Sequence, residues 1–445
     1  MPGNKLEDLP RKLGLLDATT TVIGTMIGGA IFIIPASIAT EVPSIPTILA
    51  IWVVTGLISL FGALAYAELG AMLPHSGGQY VYIREAYGPL PAFVTGWVFF
   101  LIINSGSIAA VSVVCATYLS YLLPGIPGLM RWMPVALILT LTAINYVGVR
   151  QGALVQNIFT FFKLAGLGLL MLGAIFYKGP SSLNWNMPEH LSSTALSAAM
   201  LGAFLAYDGW HYIAFVAGEV INPRRNLVWS LVIGVVAVMA IYLCANIAYF
   251  HVLPLDVIAA SERVAATSAE QTIGPIGATI VTLTILLSTA GAANGATMTS
   301  PRVYFTQARD GLFFRKLGEI HPRFLTPSAS ILTQGLWASF LAATGSYVTL
   351  ISYVLFIAWV IHALTVLGLI VLRGKHPEWE RPYRVWGYPW APLLFVAFAV
   401  WFVVTTLIAR PASSIAGIGI MAASVPIYYF WRKRETTRSQ DANKC

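Results

Sequence analysis

Twelve long apolar segments follow one another between Thr19 and Phe430, separated by short stretches rich in charges, Pro and turn residues. A bilayer core is crossed by about 20 consecutive apolar residues in a helix, so such a succession restricts the chain to folds that use lipid as solvent. The first five segments run Thr19–Ala39, Pro46–Leu73, Pro91–Leu123, Pro134–Val149 and Ala153–Tyr177. The next five run Leu196–Ala217, Leu227–Val252, Ile276–Thr299, Ser328–Ala343 and Tyr347–Leu372, and the last two Trp390–Ile408 and Ser413–Phe430. They are long and lack the ten-residue apolar and polar alternation of a membrane barrel, which predicts an all-α integral membrane protein with twelve transmembrane helices. Only 10% of the 445 residues are charged, against roughly 25% in an average soluble domain. Too little charge remains to cover a water-facing surface, which excludes a secreted domain, a disordered hub and most soluble enzymes. The first run is longer than a signal-peptide core and has no small-residue cleavage pattern at its end, so it is expected to be a retained span.

The formal net charge of +8 could suggest nucleic acid, but the basic residues fall in a topological pattern. With both termini in the cytoplasm, 21 of the 26 Lys and Arg residues lie in inner loops and tails, among them Lys5, Arg11, Lys12, Arg224, Arg225, Arg302 and Arg373. The outer loops hold Arg131, Lys178, Arg263 and Arg410, and Lys163 lies inside a span. This is the asymmetry expected of a plasma or inner membrane protein, and it removes nucleic acid as a partner. Cys115, Cys244 and Cys445 form no even-numbered disulfide framework.

Two spans differ from the rest. The first reads Gly24-Thr25-Met26-Ile27-Gly28-Gly29-Ala30-Ile31-Phe32 and then Pro35, poor in helix formers at its middle. The sixth reads Leu205-Ala206-Tyr207-Asp208-Gly209-Trp210. Glycines in membrane helices commonly serve close packing. A mid-membrane carboxylate, however, costs about 2.5–3.5 kcal/mol even on lenient insertion scales, which packing does not explain. Each of these spans opens a group of five. Interruptions at matching places in two halves point to a secondary transporter built from inverted repeats, with its site where both helices unwind. Five is odd, so the second group must lie upside down relative to the first. The expected organisation is a cytoplasmic tail over 1–18, a first repeat over 19–177 and an inverted second repeat over 196–372. Two extra spans over 390–430 and a cytoplasmic tail over 431–445 follow.

Several stretches resemble the amino acid–polyamine–organocation superfamily, and within it the L-type amino acid transporters. They are Gly24 to Phe32, and Pro74-His75-Ser76-Gly77-Gly78-Gln79-Tyr80-Val81-Tyr82 with Glu85, Tyr87 and Gly88. Asn145-Tyr146-Val147-Gly148-Val149 leads to Gln156 and Lys163, and Ala206-Tyr207-Asp208-Gly209-Trp210 leads to Glu219, Asn222-Pro223 and Asn226. Asn294-Gly295, Pro301-Arg302 and the run from Arg381 to Pro389 complete the set, which extends over nearly all twelve spans. The resemblance implies a LeuT-like five-plus-five inverted repeat with two extra C-terminal helices, and movement of amino acids by obligatory exchange.

An unwound helix offers a partner to each charge of an α-amino acid: free N–H groups at the positive start of one half-helix, and free C=O groups at the end of the other. Carried over by position, the resemblance implies a substrate site at Met26, Ile27, Gly28, Gly29, Ala30, Phe204, Leu205, Ala206, Tyr207, Asp208 and Gly209. The carboxylate falls to the N–H groups of Gly29 and Ala30, and the ammonium to the carbonyls of Met26, Leu205 and Asp208. Relatives commonly have Gly-Ser-Gly where this chain has Gly28-Gly29-Ala30, so a serine contact is missing. Leu205 stands where a bulky aromatic often closes over the substrate, with Phe204 one place earlier on a neighbouring face. Asn294 could touch the substrate side chain or make an interhelical hydrogen bond. Lys163 is expected beside the broken first span, taking the place of a sodium ion held by sodium-coupled relatives. Glu68 is expected to anchor local structure, and His211 and His362 either to relay protons or to pack.

No H-E-x-x-H, G-x-S-x-G or Cys/His cluster supports an enzyme, and no cofactor or metal is expected. A channel would need a repeated filter, of which the chain shows none. Some relatives are light chains joined by a disulfide to a heavy chain through an outer-loop cysteine after the third span. Residues Pro124 to Pro134 contain no cysteine, so the expected partners are amino acid substrates and the bilayer, in a monomer or weak homo-oligomer. Asp208 leaves substrate charge open between small or medium neutral amino acids such as Ala, Ser, Thr and Cys and cationic ones, and proton coupling stands as a further alternative to exchange. The pocket-forming spans show no second acid, which favours the neutral class.

Overall fold

The structure, a computed structural model, describes residues 8–187, 191–345 and 347–442, with the backbone alone for residues 347–355 and 434–442. Lys5, Lys444 and Cys445 lie outside the described residues, and so do the side chains of Arg434 and Arg438. Among the described residues every regular element is helical, apart from one isolated bridge between Leu13 and Val220. That outcome follows from the solvent, since a helix satisfies its own N–H and C=O groups without water.

Helices α1 (Leu15–Met26) and α2 (Ala30–Glu41) share the first apolar segment, and α3 (Ile45–Met72) follows. Next come α4 (Gln79–Tyr87), α5 (Pro89–Val98), a π-helical turn at Phe99–Ile103, α6 (Asn104–Leu122), α7 (Leu129–Val147) and α8 (Val149–Ile175). The second half holds α9 (Ser193–Ala206), α10 (Tyr212–Phe215), α11 (Pro223–Val252), α12 (Leu255–Ala260), α13 (Val264–Ile273), α14 (Pro275–Thr299) and α15 (Pro301–Arg309). It ends with α16 (Ser328–Thr344), α17 (Tyr347–Lys375), α18 (Trp390–Ala409) and α19 (Pro411–Ala442). Proline stands in the first turn of α3, α5, α11, α14 and α15, where its missing N–H has no intrahelical partner to lose.

Among the described residues, 10 helical stretches are long and apolar enough to cross a membrane by length and composition. The segments expected at Leu196–Ala217 and Ser328–Ala343 are not among them. The first of these is cut short after 14 helical residues, about 21 Å at 1.5 Å per residue, by a turn at Tyr207. The second is a 17-residue helix, about 26 Å long, somewhat less than the roughly 30 Å hydrocarbon core. The third expected span is a helix with a π turn inside it. There Ser105 Oγ donates to the Phe100 carbonyl at 2.7 Å, and the Tyr304 hydroxyl donates to that of Phe99 at 3.2 Å.

At the centre of the bundle α1 packs on α8, α11 and α14, while α14 also packs on α6. Close approach there depends on small residues. A Cβ built on Gly295 would lie 2.4 Å from Thr25 Cγ2, and one on Gly24 would lie 1.9 Å from Gln156 Nε2. Gly24 is therefore a packing glycine inside α1 and no part of the break that follows it. One end of the bundle is tied by buried charge. Arg302 clasps Glu219 through Nε to Oε1 at 2.6 Å and Nη2 to Oε2 at 3.1 Å, both side chains being almost fully buried. The Glu219 carbonyl also accepts the N–H groups of Lys12 and Leu13 at 2.8 and 3.0 Å, fixing the chain just before α1. Glu68 accepts from Arg373 Nε at 2.9 Å and from the Val385 N–H at 2.6 Å, an anchoring role between α3, α17 and the segment before α18.

Candidate functional site

The helix of the first segment stops at Met26 and restarts at Ala30. Ile27 leaves helical geometry with φ −79° and ψ 86°, and the Gly28 N–H turns back to the Met26 carbonyl at 2.9 Å. The N–H groups of Gly29, Ala30 and Ile31 therefore lack backbone acceptors at the positive end of the α2 dipole, while the Phe32 N–H turns to Gly29 O at 3.2 Å. The carbonyls released at the end of α1 are largely claimed by the protein. Ile27 O accepts from Lys163 Nζ at 2.7 Å and Ser288 Oγ at 2.8 Å, and Gly28 O accepts from Ser288 Oγ at 2.9 Å.

Lys163 is fully buried on α8 and spends all three ammonium hydrogens on backbone carbonyls. Besides Ile27 O it donates to Gly24 O at 2.9 Å and Ser288 O at 3.1 Å, joining the end of α1 to α14. The missing side chain of Gly291 makes room for it, since a Cβ there would lie 3.3 Å from Nζ.

The sixth segment breaks in the same neighbourhood. α9 ends at Ala206, a turn runs through Tyr207 to His211, and the four-residue α10 follows. Gly209 has φ +115°, and a Cβ there would stand 2.7 Å from the Thr25 carbonyl oxygen, so glycine is required both by the left-handed backbone and by the contact. Thr25 Oγ1 donates to Gly209 O at 2.9 Å across the junction. Tyr242 on α11 lies within hydrogen-bonding distance of the Met26 and Ala206 carbonyls, and the Tyr207 hydroxyl donates to Trp52 O at 3.0 Å. Among the turn's hydrogen bonds, Leu205 O receives the Tyr207 N–H and, at a long 3.4 Å, the Asp208 N–H, and Asp208 O receives none.

The structure brings Met26 together with Ala206 and Gly209, and packs α2, which starts at Ala30, on α9, so the two breaks that carry Ile27, Gly28 and Gly29 and Tyr207 and Asp208 lie in one neighbourhood. It does not bring Phe204 or Asn294 to them. Phe204 is fully buried on the far side of α9, stacked on Phe398 with centroids 4.2 Å apart and edge-on to Trp359 at 4.6 Å. It fills the core against α17 and α18, so it is unavailable as an aromatic lid. Asn294 is fully buried and its polar atoms are committed. It accepts from Asn145 Nδ2 at 3.0 Å and donates to Gly152 O at 3.0 Å and Gln156 Oε1 at 2.9 Å. This is the interhelical hydrogen-bond role, locking α7, α8 and α14, and it leaves no donor for a substrate.

Asp208 has company that its sequence position does not disclose. Its Oδ1 lies 3.4 Å from His211 Nδ1 and 3.7 Å from His362 Nε2, and His362 Nδ1 is 3.0 Å from the Tyr66 hydroxyl. The i,i+3 spacing could have suggested the first contact, whereas the second joins residues 154 positions apart. A separate cavity of about 620 Å³ opens beside Thr40, Ser44, Asn184 and Asp256, lined by none of these residues.

An amino acid permease family model matches residues 13–431. The chain is 33% identical over 437 residues to the human (Homo sapiens) b(0,+)-type amino acid transporter 1, covering 96% of this chain and 88% of that protein. It is also 33% identical over 442 residues to the mouse (Mus musculus) large neutral amino acids transporter small subunit 2, covering 96% of this chain and 82% of that protein. The rat (Rattus norvegicus) b(0,+)-type amino acid transporter 1 is 32% identical over 439 residues, with coverage of 96% and 88%. The chain therefore belongs to the amino acid permease family, within the amino acid–polyamine–organocation superfamily and its L-type group, and is a multi-pass membrane transporter of amino acids, not an enzyme.

Proposed function

We propose that this chain exchanges small and medium neutral L-amino acids, of the Ala, Ser, Thr and Cys class, independently of sodium and by alternating access. The substrate carboxylate sits on the N–H groups of Gly29 and Ala30, at the positive end of α2. Its ammonium takes the carbonyls of Leu205 and Asp208, with Met26 O shared, because that oxygen already accepts the Gly28 N–H and the Tyr242 hydroxyl. Gly28, Ile27 and Gly209 shape the junction. Twelve crossings in a five-plus-five inverted arrangement, residues 19–177 against 196–372 with two further helices over 390–430, supply the two bodies that rock about it. Both termini face the cytoplasm in this scheme, in accord with the charge asymmetry of the loops.

Neutral selectivity is supported by one observation, the two imidazoles that approach the Asp208 carboxylate at 3.4 and 3.7 Å. A carboxylate flanked this closely by two rings of the protein is less open to a cationic side chain, and a neutral substrate brings none that needs it. Against this, the Asp208 side chain is 36% exposed, which favours the cationic reading. Competition separates the two. Unlabelled arginine should compete poorly against labelled alanine, and Asp208→Asn should retain measurable alanine exchange. If arginine competes as well as alanine and loses that ability in Asp208→Asn, the substrates are cationic.

The mouse relative is named a small subunit, which implies a companion. Residues Pro124 to Pro134 hold no cysteine, and Cys115 is buried. This supports function without a disulfide-linked heavy chain, which a single band of unchanged mobility with and without reductant on membranes from native cells would bear out.

A further inference from the structure

We propose that Asp208, His211 and His362 form a binding site for a borderline divalent transition cation, Zn²⁺ foremost, and that its occupancy inhibits transport by fastening the α9–α10 turn to α17. The proposal concerns the cation alone and stands whichever amino acids the protein carries.

Three ligand atoms, one from each residue, lie within 4.8 Å of one another. Zn²⁺ binds imidazole nitrogen and carboxylate oxygen at about 2.0–2.2 Å, which at tetrahedral angles sets neighbouring ligands roughly 3.3–3.5 Å apart. The observed 3.4 Å from Asp208 Oδ1 to His211 Nδ1 meets that edge, and 3.7 Å from Asp208 Oδ1 to His362 Nε2 is close to it. The third edge closes with a modest rotation of imidazoles whose ring centroids stand 4.7 Å apart.

Two atoms of the cluster are buried without a hydrogen-bond partner, Asp208 Oδ1 and His211 Nδ1. His211 is only 3% exposed, so an unmatched ring nitrogen there is costly and calls for a partner. A cation between the three would satisfy both. The other ring nitrogen of His362 is held from behind, with the Tyr66 hydroxyl 3.0 Å and Gln79 Nε2 3.2 Å from it, which fixes the ring's orientation as an outer shell does for a ligating imidazole. Aromatic walls surround the histidines, with His211 stacked on Tyr212 at 4.5 Å and His362 against Trp359 at 5.3 Å. The Asp208 side chain, by contrast, is about one-third exposed although Oδ1 itself is buried, so its open side is where a cation and a fourth, water ligand would enter.

Two imidazoles and one carboxylate favour Zn²⁺, Co²⁺ or Ni²⁺ over the hard, oxygen-seeking Mg²⁺ and Ca²⁺. Asp208 and His211 lie in the turn that interrupts the sixth segment, and His362 lies on α17. A metal held by both would resist any motion of that turn relative to α17.

Calorimetric titration of the purified full chain, stripped with EDTA, with Zn²⁺ is the direct test. Wild type should bind one equivalent, and His211→Ala and His362→Ala should each weaken that binding by more than roughly tenfold. Zn²⁺ should also slow counterflow of an amino acid that the wild type is first shown to exchange, in liposomes, with EDTA restoring it. Should an alanine variant fail to run as a single species in detergent, His211→Asn keeps the volume and removes the ligand. The thermal melting point then serves as a second readout, raised by Zn²⁺ in wild type and unmoved in the variant. Absence of binding in wild type, or affinity within tenfold of it in both histidine variants, would overturn the site. Stoichiometric binding with unchanged counterflow would overturn its inhibitory role.

Discussion

The Tyr242 hydroxyl lies 3.0 Å from the carbonyl oxygen of Met26 and 2.9 Å from that of Ala206. A single group on α11 thus meets the last helical carbonyls of both interrupted segments and couples the two breaks through one unbroken helix. Tyr242→Phe keeps the ring packing against Trp52 and Tyr207 and removes only the hydroxyl. A loss of about 1–3 kcal/mol is expected, since the one hydroxyl hydrogen that the two buried carbonyls share is removed. The measurement is thermal melting alongside exchange rate, and wild-type values for both would show that the hydroxyl couples nothing.

Gly29 tests the carboxylate position. A Cβ there meets Val114 Cγ1 at 3.4 Å and Thr289 Cγ2 at 3.5 Å, ordinary contacts that the fold accommodates. Gly29→Val should therefore reach the membrane and run as a single species, yet fail to take up substrate because the carboxylate is kept from the backbone. Wild-type affinity in this variant would refute the assignment.

Lys163 fills its pocket with three ammonium-to-carbonyl hydrogen bonds, the arrangement on which the proposed sodium independence rests. Replacing sodium with choline should leave wild-type exchange unchanged, and Lys163→Ala should abolish it. A steep sodium dependence in wild type would contradict the proposed substitution of ammonium for sodium.

Much of this arrangement was legible along the chain, because apolar length, glycine-rich interruption and an isolated intramembrane charge are local signals. Lys163 stood out as the only basic residue inside a span, and its placement against the first break rests on family resemblance. Legibility failed where partners come from distant segments. Nothing local distinguishes Asn294 as a hydrogen-bonding lock from Asn294 as a substrate ligand; Asn145, Gly152 and Gln156 decide it. Phe204 is one residue from the break, yet one residue on a helix is a turn of about 100°, enough to direct its ring to Phe398. His362 joins Asp208 only through the fold.

Arg302 and Glu219 form a buried bidentate pair that ties α15 to the segment after α10. Removing one partner strands the other charge, so Arg302→Met should destabilise the protein by about 3–5 kcal/mol. Adding Glu219→Gln should recover part of that loss. Denaturation of the purified single and double variants checks this, and equal loss in both would contradict a pairwise role.

Counterflow in liposomes bears most directly on the central claim, that substrate exchanges at the junction of the two broken segments. Labelled alanine supplied outside should accumulate transiently above its external concentration only when unlabelled alanine or serine is trapped inside, and Gly29→Val should abolish that accumulation. Equilibration without internal substrate, or accumulation that persists in Gly29→Val, would contradict it.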